Sequence, residues 1–209
     1  MSRRVLLAIA LAAGAVHAAT IEVRARDPGG APLADAAVFA VPAFGATDAK
    51  GARVEIAQAD REFVPFVSVI QQGTAVSFPN RDPILHHVYS FSHAKPFEIK
   101  LYTGKSPGEI VFDKSGVVTL GCNIHDWMIA YVVIVPTPHF AKSDADGVAR
   151  LRDLPAGSYE LRAWHPNQKV APANQSVVLD AAANARATFA IDTAPRKPKF
   201  KPPLDRLRY

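Results

Sequence analysis

Along this 209-residue chain, short apolar–polar alternations are closed again and again by turn residues. Ile21-Glu22-Val23-Arg24-Ala25 is one such segment, and Asp27-Pro28-Gly29-Gly30 ends it. Alternation with period two lines up apolar side chains on one face of a strand, whereas a helix needs them three and four apart. The same pattern predicts strands over residues 36–41, 53–58, 75–78, 87–92, 97–102, 117–120, 129–135, 149–151, 159–163, 176–179 and 187–191. Turn chemistry separates them at Pro79-Asn80, Ser106-Pro107-Gly108, Lys114-Ser115-Gly116, Asp146-Gly147 and Pro155-Ala156-Gly157. Only residues 180–184 suit a helical turn, and a strand–turn–strand suits them equally. Many short strands spaced by turns predict an all-β chain built of sandwiches or barrels.

The first 18 residues fall outside that pattern. Arg3 and Arg4 precede an apolar run over 5–16, and Val16-His17-Ala18 offers small residues for cleavage. This predicts a signal peptide at 1–18 and export, most simply to a periplasm; the run is too short to span a membrane. Charge follows the ends of the chain. The formal net charge is +5, but Arg3, Arg4 and the tail 193–209, with six basic residues and one Asp, supply more than that. Residues 19–192 hold 16 basic against 18 acidic side chains, so no nucleic-acid-binding body is expected. The tail, rich in Pro, Lys and Arg, has too little apolar surface to fold alone and is expected to be disordered.

One cysteine cannot form an internal disulfide, and a free thiol is a liability in an oxidising compartment. Cys122 is therefore a buried apolar group, an intermolecular bridge or a ligand. Its context is Cys122-Asn-Ile-His125-Asp-Trp-Met128, between the strands expected at 117–120 and 129–135. A tight loop of this kind can turn a thiolate, an imidazole and a thioether toward one end of a barrel. Together with a second imidazole they make the soft donor set of a blue-copper site. Zinc rarely takes Met, and Mg²⁺ and Ca²⁺ prefer oxygen. The second imidazole is sought in the segment 78–92, which carries adjacent His86 and His87. Neighbours on a strand face opposite ways, so only one of the two can face an ion. Singly, each of these residues is more often packing than ligand; their coincidence favours the site. His93, His139 and His165 lack such context and are expected in surface or loop positions. Trp127 is a packing residue or part of an apolar collar that a partner contacts.

Residues 78–91, with Asn80-x-Asp82-x-x-x-His86, and 116–135, with Cys122-x-x-His125-x-x-Met128, resemble the cupredoxin family over about 53–136. The short ligand loop is similar to that of amicyanin, where plastocyanin-like loops are longer. The whole chain also resembles exported cupredoxin-domain proteins labelled methylamine utilization proteins. The resemblance implies a Greek-key β-barrel holding one copper ion on His86, Cys122, His125 and Met128. It puts Asn80, His87 and Asp126 beside the ligands. Two positions depart from the family. His87 stands where Asn usually ties the ligand loops together, which leaves it as a substitute ligand. Asp126 stands where the amicyanin-type loop has Pro; its charge is expected to depress the reduction potential.

Residues 137–192, with Asp-Ala-Asp-Gly147 and Leu-Pro-Ala-Gly-x-Tyr159, resemble a carboxypeptidase-regulatory, transthyretin-like β-sandwich, and 20–41 resemble its opening strands. The expected organisation is a signal peptide (1–18), N-terminal strands (19–51), a cupredoxin unit (52–136), a second sandwich (137–192) and the basic tail (193–209). Two arrangements stay open, insertion of the barrel into the sandwich or the two in tandem. Contacts of Val23 or Val38 with the strand at 159–161 would mark insertion. The expected activity is single-electron transfer, with His125 in the loop nearest solvent as the exit and a cytochrome or periplasmic dehydrogenase as partner. No further cluster suggests an enzyme's second metal. Copper capture and delivery, or a metal-free binding sandwich, are the alternatives.

Overall fold

The computed structural model describes residues 19–43, 45, 47–180 and 184–195. They form seventeen strands, and no helix occurs among them. The expected signal peptide and residues 196–209 of the tail lie outside the described residues. Thr193 and Ala194, assigned to the tail by sequence, are instead tied to the loop 165–168: Thr193 bridges Gln168, and the Ala194 N–H reaches Asn167 O at 2.8 Å.

Strands from both ends of the chain build one sandwich. β1 (Ala19–Arg26) lies between β14 (Val148–Leu154), antiparallel, and β17 (Ala185–Ala190), parallel. The other sheet runs β13 (Phe140–Lys142), β2 (Ala37–Pro42), β15 (Gly157–Trp164), β16 (Gln175–Leu179). Alternation in β1 works as the pattern requires. Ile21, Val23 and Ala25 are fully buried, packed with Val38, Leu151, Tyr159, Leu161 and Phe189, while Glu22 and Arg24 face outward. Val38 pairs across from Ala163, and Ala40 from Leu161. Gly147 shapes the turn before β14. Its φ is +72°, and a Cβ there would stand 2.5 Å from the Ala25 carbonyl, so only glycine fits.

Ten strands that lie between these halves in sequence make a second core. Its larger sheet is ordered β6 (Val67–Gln71), β12 (Ile129–Val135), β11 (Gly116–Gly121), β8 (His86–Ser90), β9 (Phe97–Tyr102). The others are β10 (Glu109–Phe112), β7 (Thr74–Ser77) and β3 (Arg53–Glu55) in one sheet, and the hairpin of β4 (Ala57–Ala59) with β5 (Glu62–Val64). Phe63, Phe78, Phe112, Val88, Val118, Leu120 and Val132 fill the space between them. Each such side chain contributes about 1.5–3 kcal/mol by leaving water.

β12 explains its own lack of polar residues. Val132 and Ile134 face this core, while Val133 and Val135 face the other way, onto Ala37, Val67 and the ring of Trp164. A strand covered on both faces reads as a continuous apolar run. The same double cover hides β6 from a period-two search, because Val67, Ser68 and Ile70 are all buried. β5, β10 and β13 are too short to show a period. The run expected as one strand over 53–58 divides at Ile56, where the chain leaves β7 as partner and joins β5.

Candidate metal centre

β11 and β12 pair antiparallel up to Gly121 and Ile129, so residues 122–128 form the loop that closes them. The Met128 N–H donates to His125 O at 2.8 Å and folds the loop back on itself. Cys122 and Met128 thereby enter the core beside Leu120 and Ala130. β8 runs alongside β11, Tyr89 opposite Gly121. The approach is close: a Cβ on Gly121 would meet the Tyr89 ring at 2.8 Å. β8 carries His86 to the same end.

The result is a buried cluster. His86, Cys122 and His125 each offer one donor atom, and these atoms lie within 4.8 Å of one another. The two Nδ1 atoms are 3.1 Å apart, and Cys122 Sγ is 3.7 Å from His125 Nδ1. Donors at about 2.0–2.3 Å from one first-row ion stand about 3–4 Å apart. Two buried ring nitrogens facing each other at hydrogen-bond distance, with a sulfur adjoining, need a shared proton or a cation between them. The donor set therefore fits a soft metal ion. Met128 is fully buried at the end of the same loop.

Asp82 orients His86. Its carboxylate accepts the backbone N–H groups of Asp60 (2.8 Å) and Arg61 (2.9 Å) and stands 2.7 Å from His86 Nε2. Burial pushes this carboxyl up, but the Arg61 and Asp60 N–H groups and His86 outweigh it and hold it below the usual range. An ionised carboxylate can only accept. The proton of His86 therefore sits on Nε2, and Nδ1 turns its lone pair into the cluster. Burial first, then the positive charge of Arg61, lowers the pKa of His125 against the opposing pull of Asp82 and Asp126.

The other residues singled out by sequence take different places. His87 points to the opposite side of β8, with Nε2 2.9 Å from Glu98 Oε1 and its ring against Tyr89, outside the cluster. Asn80 touches none of the three donors among its hydrogen bonds. Its amide donates to Ile84 O and Tyr102 O, both at 2.8 Å, and its oxygen accepts the Asp82 N–H, which shapes the loop that leads to His86. Asp126 is exposed. His125, expected nearest solvent, is only 2% exposed; the Trp127 ring lies 5.2 Å away, and its Nε1–H donates to Arg61 O at 3.2 Å. Loop position alone does not expose a side chain that the fold turns inward. His165 sits in a loop as expected but is buried, 3.1 Å from Ala34 O.

Sequence reasoning passed over Asp60, Arg61, Gln58 and Tyr102. Tyr102 donates its hydroxyl to Phe78 O and accepts Gln58 Nε2 at 2.5 Å. Burial raises its pKa to about 12, with Gln58 opposing and Cys122 adding to the rise. Asp82 was visible as the acidic member of Asn80-x-Asp82-x-x-x-His86; the others carry no signal, because their roles depend on a distant hairpin.

No family model matches this chain, and no curated protein matches it. Solved structures share part of it. Amicyanin from Paracoccus versutus (Thiobacillus versutus) is 19% identical, over 46% of this chain and 91% of its own, with a TM-score of 0.37. The novel purple cupredoxin from Nitrosopumilus maritimus is 23% identical, over 40% of this chain and 99% of its own, with a TM-score of 0.34. The Cu-containing nitrite reductase (NirK) from Thermus scotoductus SA-01 is 24% identical over 46% of this chain, which spans only 25% of that enzyme's length; the TM-score is 0.39. Likeness at this level carries no functional information, and the donor set has to speak for itself.

Proposed function

We propose that this protein binds one copper ion on His86, Cys122, His125 and Met128 and carries single electrons between redox partners. The observation that supports this most directly is the convergence of two imidazole Nδ1 atoms and a thiol, all buried, at one end of a β core. Copper would supply the one-electron exchange between its cuprous and cupric states. The chain's own part is to hold the donors still. His86 is locked by Asp82, Cys122 and Met128 are packed among Leu120 and Ala130, and His125 is hemmed in by Trp127. Donors that cannot relax lower the cost of changing charge at the site. In this reading residues 52–136 form the copper-carrying unit within a sandwich made of 19–51 and 137–192. Residues 1–18 direct export to the periplasm, the tail 193–209 is a basic extension, and a cytochrome or dehydrogenase there exchanges the electron.

Adding one equivalent of Cu(II) to the purified protein tests the proposal. An intense thiolate-to-copper visible band with reversible one-electron cycling is expected. His86→Ala abolishes the band and His87→Ala keeps it. A colourless Cu(I) complex that exchanges readily would instead assign the site to copper capture and delivery. No binding at all would leave a metal-free sandwich module.

A further inference from the structure

The two histidines of the cluster come from separate parts of the chain, yet one short turn touches the supports of both. β4 and β5 are joined by two residues, Asp60 and Arg61, with Ala59 paired to Glu62 across the turn. Both have left-handed backbones, φ +52° and +57°. Two-residue hairpins of this twist are ordinarily made with Asn-Gly or Asp-Gly. An arginine held there is strained, and such strain persists only where surrounding contacts enforce it. The N–H groups of Asp60 and Arg61 grip the Asp82 carboxylate, and Asp82 grips His86. The carbonyl of Arg61 takes the Trp127 indole N–H, and the Trp127 ring lies against His125. The turn itself is anchored from below, because Gln58 bonds through its backbone to Pro79 O (2.9 Å) and to the Arg81 N–H (2.8 Å).

We propose that the Asp60–Arg61 turn is the positioning element of the metal centre: its backbone fixes His86 through Asp82 and the His125 loop through Trp127, so that both Nδ1 atoms meet at one point. The proposal rests on the copper reading only for what occupies that point. The positioning itself exists in the metal-free protein and can be read there. Asp60 and Arg61 reach Asp82 and Trp127 through their main-chain groups, so the conformation of the turn is what the relay depends on. Asp82 is the one side chain in the relay to His86 whose charge matters, because a neutral amide no longer dictates which ring nitrogen carries the proton.

The test uses nitrogen-15 NMR of the histidine rings in the metal-free full chain, with Cu(I) affinity by chelator competition as the second measurement. In the wild type, His86 is expected as a single tautomer protonated on Nε2. Asp82→Asn should mix its tautomers and weaken copper binding by about 10–100-fold, the usual consequence of losing a partner behind a ligand. Two glycines inserted between Asp60 and Arg61 lengthen the turn and should reproduce both effects with Asp82 intact. The double variant Asp60→Asn, Arg61→Gly keeps every main-chain donor and suits the turn better, so the His86 tautomer should stay as in the wild type. Trp127→Phe should leave the His86 tautomer alone and broaden the ring signals of His125. The proposal is overturned if Asp82→Asn keeps the single tautomer, or if the Asn-Gly turn disturbs His86 as much as the glycine insertion does. Should the wild type show the fixed tautomer but bind no copper, the copper reading falls and the positioning role stands.

Discussion

The two cores of this molecule differ in what they bury. The sandwich of β1, β2 and β13–β17 is closed by aliphatic side chains and a few rings. Its buried polar groups are satisfied: Ser143 Oγ accepts the Ala36 N–H at 2.9 Å and donates to Leu33 O at 2.7 Å. The core of β3–β12 buries Gln58, Ser68, Thr74, Asn80, His86, His87, Ser90 and His125. Gln58 Oε1, Ser68 Oγ and His87 Nδ1 in it have no hydrogen-bond partner. A buried polar group left unpaired costs on the order of 1–3 kcal/mol, and most folds avoid it. The half of the molecule that holds the three-donor cluster is thus also the half that carries the unpaired buried polar atoms, at a cost in stability. The difference teaches that the apolar sandwich can act as the frame and the polar core as the site.

That comparison can be broken. The largest expected effect is Cys122→Ala, which should abolish the copper visible band altogether while the circular dichroism of the strands stays unchanged. Leu161→Ala, at a fully buried position of the frame, should reverse the pattern. It is expected to cost about 2–5 kcal/mol in denaturant unfolding and to leave the spectrum of the folded fraction alone. Ser143→Ala, which orphans the Ala36 N–H and Leu33 carbonyl, should cost about 1–3 kcal/mol with the same spectral silence. If either frame variant altered the visible band, frame and site would not be separable.

Smaller effects sharpen the picture within the polar core. Tyr102 has its pKa raised to about 12 in the folded protein against about 10 when free. The folded state therefore holds this proton longer than the unfolded chain, so the contribution is complete below pH about 10 and is lost as pH rises toward about 12. Tyr102→Phe should flatten the alkaline limb of a stability–pH curve; an unaltered limb would deny the burial of that hydroxyl. The least effect is expected at Asp126, which is exposed. Asp126→Asn should raise the reduction midpoint slightly, and an unchanged midpoint would show that solvent screens this carboxylate fully.

Much of the fold was legible because strand formation is local. β1, β9 and β12 were found at or near their ends, since period-two alternation and the flanking turns belong to a few adjacent residues. β6 and the break at Ile56 were not, because burial on both faces and a change of partner erase the period. Of the candidate site, the grouping of a thiol with imidazoles was readable from Cys122-x-x-His125 and the His pair upstream. Its support was not: nothing near Arg61 announces that its carbonyl takes the indole of Trp127, 66 residues away.

By itself, then, the sequence determined an all-β chain and the donor types available near β8 and β11. Both follow from sterics and chemistry carried by neighbouring residues. Strand alternation left His86 and His87 both open, and tertiary structure turns His86, the one the resemblance pointed to, toward Cys122 and His125, since the face that a strand turns inward depends on the sheets it packs between. Tertiary structure also decided that β2 pairs with β15 and that the Asp60–Arg61 turn reaches Asp82 and Trp127. Those contacts join segments far apart in the chain, and only the closing of both cores brings them within reach.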